Sequence, residues 1–298
     1  MKLSEATSSS AYAYYPGCSL HGMAREYDHS ARLVCQALGI GLNEVEDWVC
    51  CGSSSAHSVS HLLSVALPAY NLQLAEKMGL PLAVPCAACF GRLKTAEHEL
   101  KDEKALAQVN EIIDGDFKNS VEILPLMGVF ATEERLAKIQ AAVTRPLTGL
   151  KVASYYGCLL VRPPKVVDLG EDVENPQMMD RIVQAVGAEP VEWPFKTECC
   201  GAFMVLPRPD VLHELSHRIL SMAKAAGADC LVTACPMCQS NLDMRQGEIE
   251  AKYREKLGLP ILYFTQLIGL AMGMSARELE FGKHFVAVEP LLKSKGLV

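Results

Sequence analysis

Runs of lysine or arginine are missing from this 298-residue chain, and its formal net charge is −7. A surface that neutralises nucleic-acid phosphates needs the opposite, so no nucleic-acid partner is expected. No uninterrupted apolar run approaches the ~20 residues of a membrane helix. The nearest stretch, 262–274, is short and carries Thr265 and Gln266. The first ten residues hold one basic side chain and no apolar block, so they are expected to form a frayed lead-in and not a secretory leader. The protein is accordingly expected to be cytoplasmic, with no membrane span. Neither GxGxxG nor the glycine-rich phosphate loop occurs, which removes the common cradles for a flavin or nucleotide. Half of the residues are hydrophobic and 21% charged, as in a soluble globular protein long enough for two domains.

What the chain does have is cysteine, twelve in all. A reducing compartment disfavours structural disulfides, which leaves metal ligation or redox chemistry. Ten of the twelve fall in a duplicated pattern. Tyr15-Pro16-Gly17-Cys18 precedes Cys50-Cys51-Gly52 and then Cys86-Ala87-Ala88-Cys89. Tyr155-Tyr156-Gly157-Cys158 precedes Cys199-Cys200-Gly201 and then Cys235-Pro236-Met237-Cys238. From Cys51 to Cys86 and from Cys200 to Cys235 the gap is 35 positions. Agreement over so long a gap marks one structural unit written twice.

The surrounding pattern alternates strand and helix. Residues 11–15 are β-prone and lead to Cys18 through a Pro-Gly turn. A helix bearing Leu33, Ala37 and Leu38 follows and stops at Gly39. An extended element over 43–49 delivers the chain to Cys50. Val59, Leu62, Leu63, Ala66, Tyr70, Leu74 and Met78 recur at helical spacing, with Pro68 expected to kink or split the helix. Strand 80–84 ends at Pro85-Cys86. Helix resumes at about Cys89 and runs through Lys104, strand 121–124 follows, and 131–149 forms a helix and linker.

The second half replays this order with strand 151–155, helix 178–186 stopped by Gly187, and a helix on Leu212, Leu215, Ile219 and Met222. Strands 230–234 and 261–264 complete it. Its extra eight residues fall around 162–176, read as a surface loop. The fold class is therefore α/β: two tandem pseudo-symmetric repeats, 11–148 and 149–298, with mostly parallel sheets and cysteine loops at the strand ends.

Aligning the halves removes two cysteines. Cys35 matches Val183 and Cys230 matches Pro81, and both sit in apolar settings as buried free thiols. Five remain per half. Structural zinc takes four ligands and a cubane [4Fe–4S] cluster takes four thiolates. Two zinc sites with a spare cysteine each, or dithiols cycling to disulfides, stand as alternatives to a cluster that uses all five.

The repeated five-cysteine set resembles the CCG-type cysteine-rich domain, and the whole chain from about Tyr12 resembles the B subunit of heterodisulfide reductase. Glu198-Cys199-Cys200-Gly201-Ala202 and Cys86-Ala87-Ala88-Cys89-Phe90-Gly91 carry the resemblance along with Tyr-x-Gly-Cys. It implies two noncubane [4Fe–4S] clusters, one on Cys18, Cys50, Cys51, Cys86 and Cys89, the other on Cys158, Cys199, Cys200, Cys235 and Cys238. It further implies an oxidoreductase that cleaves or forms a disulfide by single-electron steps. Electrons would come through a ferredoxin-like C subunit from a flavin-bearing A subunit. The disulfide would be a small molecule or, as in related complexes of sulfur-oxidising and sulfate-reducing organisms, one held on a carrier protein. Gly52 and Gly201 are expected to turn the backbone so that adjacent thiolates face one cluster and to leave room beside its sulfides.

Weaker signals surround the motifs. His21 and His57 are candidate proton donors for the thiol products. The i, i+4 pairs His57/His61 and His213/His217 are read as solvent-facing. Arg162 and Lys196 flank the second set and are read as surface charge.

Overall fold

The computed structural model describes residues 9–53 and 55–297. Among them eight strands form two four-stranded sheets, all parallel. The first sheet joins β1 (Ala11–Tyr14), β2 (Gly41–Glu44), β3 (Leu82–Val84) and β4 (Ile123–Pro125) in the order β2-β1-β3-β4. The second joins β5 (Lys151–Tyr155), β6 (Glu189–Pro190), β7 (Cys230–Thr233) and β8 (Ile261–Tyr263) in the order β6-β5-β7-β8. The two orders are identical strand for strand, as the duplication requires. Helices cover the strands, so the central ones are buried on both faces: Tyr12, Ala13 and Tyr14 are all inaccessible.

The repeats share one hydrophobic core, and they share it by exchange. Helix Phe264–Ala271, which follows β8, packs on helix Arg25–Ala37 of the first repeat. Helices Leu126–Phe130 and Glu133–Ala142, which follow β4, pack on helix Met178–Ala185 of the second. Tyr27 and Tyr263 stack across the first of these contacts, with centroids 4.1 Å apart and planes at 6°. The Ser30 and Thr265 hydroxyls meet beside them at 2.7 Å.

Several local expectations are corrected. The second strand ends at Glu44, well short of 49, because Asp47 takes a left-handed conformation (φ 55°) that breaks it. Pro68 neither splits nor ends its helix, which runs unbroken over His61–Lys77. The division falls earlier, at the extended Ser60, whose hydroxyl accepts from the Leu63 amide and separates a short helix Ala56–Val59. The helix expected from Cys89 starts at Ala87, stops at Glu99, and restarts at Glu103 behind the Asp102 cap. Segment 162–176 is no free surface loop. Val167, Leu169 and Pro176 are buried, and the segment lines a cleft together with Phe90 and Lys94 of the first repeat.

One buried titratable group couples this core to pH. Burial holds the His284 imidazole down at about 4, against an ordinary 6.5, and the Gln266 amide donates to its Nε2 at 2.9 Å. Between these values the unfolded chain binds the extra proton, so stability present above pH 6.5 is lost as pH falls towards 4. Melting temperatures taken from pH 7.5 down to 5 should fall, and should fall less steeply in His284→Gln; parallel curves for the two proteins would refute this.

Candidate functional site

In each sheet the strand order reverses between the two central strands, and the crevice at their carboxyl ends is where such sheets place sites. All ten repeated cysteines gather there. Cys18 lies in the short helix Gly17–His21 directly after β1, and Cys158 follows β5. Cys86 caps helix Ala87–Glu99, with Cys89 in its first turn; Cys235 and Cys238 hold the same places on helix Pro236–Asp243. Neither capping sulfur accepts a hydrogen bond from that first turn, but each lies at the positive end of its helix. A helix amino terminus of this kind favours thiolate.

Most of the sulfurs lie beside one another in a row. Cys50 touches Cys51, Cys51 lies 3.3 Å from Cys89, and Cys89 touches Cys86. In the second repeat Cys158 touches Cys199, Cys200 lies 3.6 Å from Cys238, and Cys238 touches Cys235. The two repeats' sulfurs come together where Cys86 and Cys235 lie close enough to act on each other's protonation. These are matched residues, and the reciprocal helix exchange between the repeats, each packing the helices after its fourth strand on a helix of the other, is the mark of a twofold relation. The pseudo-dyad of the molecule therefore passes between them.

Protons are unevenly divided along the series. Cys51 is drawn down to about 4, first by its contact with Cys50 and then by that with Cys89. Cys199 is drawn down to about 6, first by Cys158 and further by the Gly201 and Ala202 amides. Cys235 is also lowered, first by Cys238 and then by Cys86. Their partners Cys50, Cys86, Cys89, Cys158 and Cys238 are pushed up correspondingly, each first by its neighbouring sulfur. Soft sulfur donors held this way suit iron–sulfur or zinc, and not hard cations. Among the described residues no three or more Cys, His, Asp or Glu side chains close around one metal-ion position; the sulfurs are strung out.

Two features hold the loops, and sequence reading did not assign the first. The Tyr15 hydroxyl donates to the carbonyl of Val49 and that of Tyr155 to the carbonyl of Glu198, both at 2.7 Å. Each acceptor immediately precedes the Cys-Cys pair, so the first motif clamps the second. The signal was present, since each tyrosine stands three before its cysteine. Second, Gly17 and Gly157 have φ of 68° and 66°, and a Cβ there would meet the Cys89 and Cys238 sulfurs at 3.1 and 2.9 Å. These are the glycines that make room beside the thiols. Gly52 and Gly201 also take positive φ, but a side chain on them would strike Leu67 and Leu212 on the following helices, not the sulfurs.

The remaining candidates are placed as follows. His21 pairs with Glu44 at 3.0 Å and stands edge-on to Trp48 in an open cleft. His57 Nδ1 lies 3.0 Å from the Arg92 guanidinium. Arginine can only donate, so Nδ1 accepts and the ring proton sits on Nε2. His61 is exposed beside Glu99, whereas His213 and His217 are not solvent-facing: their side chains are 17% and 20% exposed and paired with Glu248 and Glu255. Lys196 is not surface charge. It is 1% exposed and bonded to Asp180 at 2.9 Å, because its loop lies under 162–176. Arg162 is half-exposed, tied to Glu174 and the Thr197 carbonyl. Cys35 and Cys230 are buried free thiols, each pushed up to about 12 by burial.

Arg92 and Asn241 were missed by sequence reading. Both stand three past the last cysteine of their repeat. Asn241 donates to the carbonyl and, at 3.5 Å, the sulfur of Cys200; Arg92 reaches the Ser53 carbonyl and adds to the lowering of Cys51. Removal of either clamp hydroxyl, as Tyr15→Phe or Tyr155→Phe, should lower unfolding free energy by ~1 kcal/mol in urea titration. An unchanged midpoint would show that the hydroxyl fixes nothing.

The profile of the cysteine-rich CCG domain matches residues 12–94 and again 152–243, each match enclosing five of the ten repeated cysteines. The 8-methylmenaquinol:fumarate reductase membrane anchor subunit of Wolinella succinogenes is 37% identical over 92% of this chain and 96% of its own. The B subunit of a ferredoxin/F420H2-dependent CoB-CoM heterodisulfide reductase from Methanosarcina acetivorans is 32% identical over 89% and 90%. The corresponding B subunit of the ferredoxin-dependent enzyme from Methanosarcina mazei is 32% identical over 91% and 92%. In structure, a hypothetical protein from Helicobacter pylori superposes with a TM-score of 0.71 at 14% identity, over 94% of this chain and 52% of that one, a likeness of fold alone. Two copies of the domain, in the order and over the length of these relatives, place the chain in the heterodisulfide reductase B-subunit family of iron–sulfur proteins.

Proposed function

We propose that the protein is an iron–sulfur disulfide oxidoreductase subunit whose repeats, 11–148 and 149–298, each hold one noncubane [4Fe–4S] cluster. The first would be held by Cys18, Cys50, Cys51, Cys86 and Cys89, the second by Cys158, Cys199, Cys200, Cys235 and Cys238. The observation that carries this reading is the gathering of ten matched cysteines, five to a repeat, at one crevice, with Cys86 and Cys235 facing each other across the pseudo-dyad. A strung-out set of five suits a group of several irons better than one tetrahedral ion, and it leaves no cysteine over. Bound there, the clusters supply electrons one at a time.

The reaction is RS–SR′ + 2 e⁻ + 2 H⁺ → RSH + R′SH, or its reverse. Two matched sites facing a common axis divide a two-electron cleavage into equal halves. The capping helices hold Cys86 and Cys235 away from solvent at the axis, both 2% exposed, while Cys18 and Cys50 reach the surface and Cys158 and Cys199 lie half-buried. The outer cysteines thus mark the side from which a disulfide, free or carried on a protein, approaches. His57 is the better-placed proton donor, since its Nε2 carries the proton and its partner Arg92 also reaches the Ser53 carbonyl, two past Cys51. His21 is turned to Glu44. Electrons are expected from a flavin-bearing A subunit through a ferredoxin-like C subunit, since this chain has no nucleotide-binding loop of the common types.

The higher identity to the Wolinella protein favours a second reading, as the equivalent component of a methylmenaquinol:fumarate reductase complex. No helix of the described residues is long and apolar enough to cross a membrane, so attachment in that case would run through other contacts. Clusters that a menaquinol analogue reduces and no disulfide reoxidises would select this second reading.

Anaerobically purified protein should contain iron and acid-labile sulfide in equal amounts, about eight of each per chain for two four-iron clusters. Cys200→Ala should halve both and retain the visible and EPR signals of the first cluster. A colourless protein with about two zinc ions per chain would end the proposal.

A further inference from the structure

The two cysteine sets match residue for residue, but the charges beside them do not. The position three past the last cysteine is Arg92 in the first repeat and the neutral Asn241 in the second. Arg92 makes no ion pair among the described residues. Its contacts are the Ser53 carbonyl, two residues past Cys51, at 3.4 Å and the His57 ring nitrogen at 3.0 Å, so its charge stands uncancelled beside the first Cys-Cys loop. The position before the Cys-Cys pair is Val49 in the first repeat and Glu198 in the second, which sets a carboxylate directly beside Cys199, on the residue whose carbonyl Tyr155 holds. Arg162, near Cys158, does not restore the balance, because both Glu174 carboxylate oxygens close on its guanidinium at 2.8 and 2.9 Å. Exposure points the same way: Cys18 and Cys50 are exposed, while Cys158 and Cys199 are half-buried.

Adding an electron adds negative charge to a thiolate-bound group. A nearby cation and access to water favour that state, and an anion and burial oppose it. The Asn241 amide on the Cys200 sulfur at 3.5 Å acts in the favourable direction too, but as a neutral dipole it is weaker than a full charge.

We infer that the two sites are unequal in potential, the first-repeat site being the easier to reduce, with Arg92 against Asn241 and Glu198 against Val49 setting the difference. Electrons entering at the second repeat then run downhill across the pseudo-dyad and come to rest in the first. This rests on the iron–sulfur reading proposed above. Arg92, Asn241 and Glu198 are positioning residues for charge; none of them is a ligand.

An EPR-monitored redox titration of the full-length protein, purified with its iron and sulfide, tests the inference. It should resolve two midpoints, and the higher one should be the signal that survives in Cys200→Ala. Arg92→Asn should lower the higher midpoint by about tenfold in the one-electron equilibrium constant, about 59 mV. Asn241→Arg should raise the lower one by a similar factor. Glu198 has an exposed side chain, and Glu198→Val leaves the carbonyl held by Tyr155 in place. That variant keeps the test open if the other two lose iron, and it should raise the lower midpoint alone. Coincident midpoints, or a higher midpoint that disappears in Cys200→Ala, with full iron present overturn the polarity and leave the iron–sulfur reading standing. Protein that carries no iron and sulfide overturns both.

Discussion

The contact between Cys86 and Cys235 is the constraint on which the rest of the molecule depends. It places the carboxyl ends of both sheets against one another across the twofold relation of the repeats. That placement is maintained by the helix exchange around it: the helices after the fourth strand of each repeat pack on a helix of the other. Tyr27 ties the exchange to the site, since it stacks on Tyr263 and reaches the carbonyl of Ala234, the residue before Cys235. Scaffold and site are therefore one object.

Within each repeat the order of motifs along the chain has a mechanical meaning. The tyrosine of the first motif holds the carbonyl before the second, the glycine beside it opens space for the last sulfur of the third, and the third is fixed by the start of a helix. A change in any one motif moves the other two. This is why spacing was informative: the 35 positions between the Cys-Cys pair and the CxxC hold the helix and strand that must bring both to the same crevice.

How much was legible in the sequence follows from the range of each interaction. The repeat, the strand–helix alternation and the parallel sheets were readable because they rest on periodicity and turn residues near in sequence. The end of β2 was misplaced because Asp47 adopts a left-handed turn that its side chain tolerates but does not announce. Lys196 was read as surface charge because its partner Asp180 and the cover from 162–176 are tertiary facts. Arg92 and Asn241 escaped notice for the same reason, although comparing the halves position by position would have isolated them as a mismatch beside an otherwise matched set.

The helix exchange has a further consequence. Two identical repeats exchanging helices in this way would form a twofold-symmetric homodimer. In such a dimer every charge beside one site is reproduced beside the other, and the two sites are the same by symmetry. Joining the repeats in one chain removes that identity requirement while keeping the geometry. Only then can an arginine stand on one side of the axis and an asparagine on the other.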